Sequence, residues 1–234
     1  MRRSHLVLAA LCLQFVAIGG VAAWRDSPTV DEVIDVAAGA SGVAERDFRM
    51  QPEHGVLPRV VVGAAALLAG PELPQGEGWR SGDWFVHTEE FVEANREAGS
   101  LHGALFAARL ASLGVGAAAG VVLFLLGRRR SGDLAGLVAA GAWLTTPVVI
   151  GFSHLAMIDV PFTLAAVLVA LTLDRHRERP TDGRAAAVAA AVAAALLSRH
   201  IGLVLVPVAA GVVALAHASW RDRARQAGVV ALGA

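Results

Sequence analysis

Apolar residues in this chain fall in blocks close to bilayer length rather than in narrow stripes. His5–Trp24, Leu105–Gly127, Leu134–Phe152 and Val160–Leu173 each read as a membrane-spanning helix. A final block, Ala185–Ala216, is too long for one helix at about 1.5 Å per residue across a core of about 30 Å. It is interrupted at Ser198-Arg199-His200, which predicts two helices, Ala185–Ser198 and Ile201–His217. Arg199 and His200 then sit at a membrane surface, because a charged pair at mid-span costs several kcal/mol.

Val56–Gly70 is apolar apart from Arg59, but it is short and carries Pro58. Arginine placement decides how to read it. The clusters are Arg2-Arg3, Arg128-Arg129-Arg130, Arg175/Arg177/Arg179/Arg184 and Arg221/Arg223/Arg225. All four lie on the cytoplasmic side only if Val56–Gly70 does not span. The expected fold is therefore an all-α polytopic membrane protein of six spans with a cytoplasmic N-terminus. Its outer loop, residues 25–104, is long and carries Val56–Gly70 as a juxtamembrane surface helix. Residues 1–234 read as a single transmembrane domain.

That outer loop holds fourteen of the twenty acidic residues and six arginines, a net charge of −8. Val30–Ala40, following Ser27-Pro28-Thr29 with acids in its first turn, has the signature of an N-capped helix. Thr88–Ala98 predicts another short helix. Pro71, Pro74 and the glycines of 76–82 mark a turn-rich connector.

Composition changes the picture little. The chain is 56% hydrophobic and 17% charged, unlike an ordinary soluble domain, and its net charge of zero gives no footprint for nucleic acid. All the basic residues bar the histidines are arginine, and alanine is abundant, as in a GC-rich bacterial genome; the expected location is a bacterial inner membrane. The lone Cys12 lies in the first apolar run and excludes an intrachain disulfide. Trp24 at the end of that run disfavours signal-peptide cleavage. Gly228–Ala234 opens a new apolar run, which predicts that the sequence is a piece of a longer protein.

On this topology Asp31, Glu32, Glu53 and Asp159 share the outer side. Asp31-Glu32 reads either as a solvated helix N-terminus or as site acids. Asp159, in an apolar setting at a helix junction, is either an N-cap with Pro161 in the first turn or a functional carboxylate. Glu53-His54 is an acid/base or ligand pair too small to make a metal site alone. Arg109 and Arg199-His200, near outer helix ends, are interfacial anchors or partners for a carboxylate or phosphate. His87, His102, His176 and His217 read as ordinary surface residues. No Walker loop, dinucleotide fingerprint, GxSxG elbow, HExxH or CxxC occurs.

In order and spacing these positions resemble the GT-C superfamily of polyprenyl-phosphate-sugar glycosyltransferases, near its protein O-mannosyltransferase and aminoarabinose-transferase branch. The resemblance rests on Asp31-Glu32 after the first helix, Pro52-Glu53-His54-Gly55-Val56-Leu57-Pro58, and Arg109-Leu110-Ala111-Ser112 leading to Gly127–Arg130. It continues through His154–Asp159 and Ser198–Gly202. Gly55-Val56 stands where the family often has two prolines. The resemblance implies a GT-C-like helix bundle, Asp31 as catalytic base and Asp159 as a second acid in the same cavity. It further implies that Glu32, Glu53, His54, Arg109, Arg199 and His200 meet substrate, with Arg199 on the lipid-linked phosphate. The cofactor is left open, with a divalent metal near Glu53 as one option. The partners it implies are a lipid-linked sugar donor, a protein, lipid or glycan acceptor, and membrane lipids. Two other classes stay open at this point. One is a transporter or flippase using an Asp159–Arg109 intramembrane pair; the other is a non-catalytic polytopic protein.

Overall fold

A computed structural model describes residues 2–216 and 219–234, without the side chains of Arg2 and Trp220. His217, the last residue of the expected final span, lies outside the described residues. Among the described residues all regular structure is helical. Two of these helices are long and apolar enough to cross a membrane, as counted among the described residues: α1 (Arg2–Arg25) and α6 (Leu101–Thr145).

Between them the acidic loop folds into four helices, α2 (Val30–Glu45), α3 (Val56–Leu67), α4 (Glu77–Ser81) and α5 (Trp84–Glu97). Thr29 starts α2 through a full capping box. Its hydroxyl accepts from the Glu32 amide, and the Glu32 carboxylate accepts from the Thr29 amide, each at 3.4 Å. The helix is buried from Glu32 to Gly42, and its Val33, Val36, Ala37 and Ala40 form a core with Val62 and Ala66 of α3 and Ala104, Leu105 and Ala108 of α6. At Gly39 and Gly63 the backbones of α2 and α3 touch: a Cβ on Gly63 would lie 2.1 Å from the Gly39 carbonyl carbon.

α6 is two antiparallel limbs. The chain reverses at Ser131 and Gly132, where Gly132 takes φ +86°, a conformation that costs glycine nothing. The limbs pack closely because Gly127 faces the backbone of Ala135 and Gly136, and Gly120 accommodates Leu144. The Trp143 indole closes the pair by donating to the Gly116 carbonyl at 2.8 Å. The second limb stops at Thr145, short of the Leu134–Phe152 segment expected from hydropathy. Pro147 has no amide hydrogen to continue the ladder and forces Thr146 extended, so a separate helix, α7 (Pro147–Ser153), begins there.

Beyond α7 come α8 (Asp159–Glu178) and α9 (Asp182–Ser198), then a 3-10 turn (His200–Val204), α10 (Leu205–Leu215) and α11 (Trp220–Gly233). The apolar block splits where its arginine suggests, since Arg199 is extended at φ −154°. Gly228–Ala234 does not start a new element; its Val230 is buried as part of α11 in a cluster with α9 and α10.

Two groups of polar contacts mark the two ends of α1. At one end of α1 Ser4 donates to Asp133 at 2.6 Å, and at the other the Ala23 carbonyl accepts from Arg109 at 2.7 Å. Those points are roughly 30 Å apart along the helix, the thickness of a bilayer core. The Ser4 layer also holds Arg129 against Asp174 (3.2 Å) and Glu178 (2.5 Å), and Arg130 against Asp174 (2.5 Å). The other layer carries the candidate site.

Gly63→Ala is expected to lower the thermal unfolding midpoint, by an amount corresponding to about 1–3 kcal/mol of overpacking. Gly183→Ala, whose Cβ meets open space, is expected to leave it unchanged or raise it. Equal midpoints for the two variants would disprove the α2–α3 backbone contact.

Candidate active site

Two arginines build this end of the molecule. Arg109, in the first limb of α6, is 2% exposed, and Glu32 is fully buried. The guanidinium grips the carboxylate in a fork, Nε to Oε1 and Nη2 to Oε2, both at 2.7 Å. Its remaining donors reach the carbonyls of Ala23 (2.7 Å), Asp26 (2.8 Å) and Ser27 (3.2 Å) at the end of α1. Glu32 Oε1 also accepts from the Ala156 amide at 3.0 Å, in the connector between α7 and α8. One ion pair thus joins α1, α2, α6 and that connector, and every Arg109 donor is occupied. The Asp159–Arg109 pair that a transporter reading needs does not form: Arg109 is bound to Glu32, and Asp159 to Arg199.

Arg59 does the same work for the loop before α3. It is fully buried, donating to the carbonyls of Met50, His54 (3.0 Å) and Gly55 (3.3 Å). Gly55, the residue preceding α3, lies on the carbonyls of Leu197 and Ser198 at the end of α9, where a Cβ would approach to 2.2 Å. These contacts bring Glu53 and His54 beside Arg199 and His200 around a cavity of about 450 Å³, with Ile158 and Phe162 as its apolar wall.

Asp159 is the first residue of α8, and its carboxylate does not cap the helix. It forms an ion pair with Arg199, and both side chains stay more than a third exposed (36% and 39%). His154, five residues earlier, turns elsewhere and meets Asp26, Nε2 to Oδ2 at 2.8 Å. Asp31 is exposed on the first turn of α2.

One acid escaped the sequence reading. Asp35 is one helical turn after Asp31, 5% exposed, and makes no hydrogen bond or ion pair among the described residues. Burial pushes its carboxyl up to about 7; Arg59 opposes the shift, Asp31 and Asp159 add to it, and Arg199 opposes it. It thus feels charges from α2, α3, α8 and the end of α9 together. The available signal was its i+4 spacing from Asp31, which places both on one face of the helix. Burial also pulls the Arg59 guanidinium below its ordinary value.

Two histidines expected at the surface are internal. His87 is fully buried, 2.9 Å from the Ser41 hydroxyl, and its basicity is reduced by burial; His176 is fully buried as well. An apolar helix face carries them inward where local polarity alone suggested exposure. Among the described residues no three His, Cys, Asp or Glu side chains converge as metal ligands, so no step is assigned to a metal.

A family model described as dolichyl-phosphate-mannose-protein mannosyltransferase matches residues 101–234. The chain belongs to this family. It is thus a glycosyltransferase of the GT-C type and membrane-associated. The family match begins at the start of α6, so Arg109, Asp159, Arg199 and His200 fall inside it, while Asp31, Glu32, Asp35, Glu53 and His54 precede it. No curated protein and no solved structure matches the chain.

Removing one partner of the Glu32–Arg109 pair leaves a buried charge unanswered. Glu32→Leu or Arg109→Leu alone is expected to cost about 3–5 kcal/mol, and the double variant less than the sum of the two. A double-mutant cycle from unfolding curves checks this, and additivity would refute the coupling. The Asp35 carboxyl gives a pH signature. Because its folded pKa is about 7 against an ordinary value of 3.8, the folded chain holds a proton there between those limits that the unfolded chain releases. Stability from this group is therefore full below about pH 4 and lost as pH rises through about 7, on the order of 4 kcal/mol. Asp35→Asn is expected to raise the unfolding midpoint over wild type at pH 8, with the gap closing toward pH 4. A gap that stays constant with pH would place Asp35 in an ordinary solvated environment.

Proposed function

We propose that this protein transfers a sugar from a polyprenyl-phosphate donor to a hydroxyl acceptor, with inversion at the anomeric carbon. The reaction takes place at the outer face of a bacterial inner membrane, and the bundle spans that membrane several times with its N-terminus in the cytoplasm. The observation that carries this reading is the partly exposed Asp159–Arg199 ion pair, whose Arg199 lines the Glu53–His54 cavity, in a chain of a glycosyltransferase family.

The chemistry follows from charge. An acceptor hydroxyl is a poor nucleophile until a base takes its proton; Asp31, exposed and acidic, is assigned that role. As the acceptor oxygen bonds to the anomeric carbon, the bond from that carbon to the phosphate oxygen breaks. The electron pair leaves with the polyprenyl phosphate, and the proton stays on Asp31. The phosphate's growing negative charge needs a fixed cation, and Arg199 offers a planar fork of donors. Arg199 is held in place by Asp159 until the phosphate competes for it, so Asp159 is assigned to orient the cation. Glu53, His54 and His200 line the cavity and are assigned to substrate contact. Glu32 and Arg109, with their hydrogen-bonding capacity spent on each other and on backbone, are assigned a positioning role instead.

Sugar transfer from a polyprenyl-phosphate-linked donor in membranes, at matched protein abundance, tests the assignment. Asp31→Asn is expected to lose about 10²–10⁴-fold in rate. Arg199→Gln is expected to lose rate as well, with Arg199→Lys recovering part of it. Full activity of Asp31→Asn would remove it as the base.

A further inference from the structure

At the opposite polar layer, we propose that the cleft between α6, α8 and α9 binds the phosphodiester head group of an anionic membrane phospholipid. The cleft holds about 380 Å³ and is lined by Arg129, Thr172, Arg175, Arg184 and Ala187. Three of those five residues are arginines, one from each helix, so the fold itself concentrates positive charge here.

The charge does not cancel locally. Arg129 and Arg130 share Asp174 and Glu178, two cations against two anions. The next acid along, Asp182, is taken by Arg225 at 3.0 Å. Among the described residues the Arg184 guanidinium donates only to a neutral group, the Arg175 carbonyl. The Arg175 guanidinium makes no hydrogen bond or ion pair among the described residues. Two positive charges therefore line one concavity with no carboxylate assigned to them. An anion with several acceptor oxygens, held by guanidinium forks, satisfies both.

Position selects the source of that anion. Thr172 and Ala187 lie one turn further into the apolar parts of α8 and α9 than Arg175 and Arg184, so the floor of the cleft is at the level where these helices become hydrophobic. With α6 and α8 crossing the bilayer, as proposed above, this is the depth of lipid phosphates, and basic pockets between helices at that level suit anionic head groups. The inference depends on that topology but not on sugar transfer.

The test uses the full chain in nanodiscs of mixed phosphatidylglycerol and phosphatidylcholine, with retained lipids counted by native mass spectrometry after gentle release. Phosphatidylglycerol is expected to be retained over phosphatidylcholine. Arg175→Gln/Arg184→Gln is expected to weaken that retention about 25-fold, at about five-fold per arginine. Ala187→Glu, a change at an exposed position that places a carboxylate in the cleft, is expected to abolish the preference even if the double variant fails to fold. Arg80→Gln, in the outer loop, is expected to match wild type. Equal retention of the two lipids, or wild-type retention in Ala187→Glu, would overturn the proposal. Displacement of the lipid by millimolar inorganic phosphate would also overturn it, by identifying a small-anion site.

Discussion

The buried fork between Arg109 and Glu32 is the interaction on which the rest of this structure depends. A guanidinium and a carboxylate withdrawn from water are costly, and the cost is offset only when every donor and acceptor finds a partner. Here the partners are backbone groups from segments distant in sequence: the carbonyls ending α1 and the amide of Ala156. The pair therefore does more than neutralise itself. It fixes where the first helix stops, where α2 starts and where the chain enters α8. Asp31 and Asp159, the two acids given chemical roles, each lie within a few residues of those anchor points.

Adjacent residues part company around this anchor. Asp31 faces water while Glu32 is sealed, because consecutive side chains on a helix point about 100° apart. A sequence shows the acidic dipeptide but not which member turns inward, since the deciding partner is 77 positions away. Helix boundaries were legible where hydropathy and arginine placement agree, as at Arg199 and at the reversal after Arg130. They were less legible where a single backbone property intervenes, as at Pro147, which cuts one apolar segment in two. Asp35 was hidden for a related reason: its neighbours Ile34 and Val36 make it look like a lone polar residue on a buried strip, and its charged surroundings come from three other elements. His87 and His176 were misjudged because helical register, rather than residue type, decides exposure.

The site combines two kinds of carboxyl environment within a few turns. Asp31 is in contact with solvent, whereas Asp35 behind it is buried with no hydrogen-bond partner among the described residues, and its carboxyl is raised to about 7. The proton inventory of this end of the molecule therefore shifts near physiological pH, although Asp31, the acid proposed as the base, lies at the surface. Arg59 and Arg199 keep the cluster from accumulating unopposed negative charge, and the Asp159–Arg199 pair remains accessible enough to exchange partners.

The loop carrying Glu53 and His54 is held by its main chain. Arg59 grips carbonyl oxygens, and Gly55 rests on the backbone of α9, so neither contact reads the identity of the side chains at positions 53 and 54. A loop anchored this way can exchange those two residues without changing its path. The cavity wall can thus diversify over evolutionary time while its scaffold stays constant, by substitution at a pair of positions rather than by rebuilding the fold.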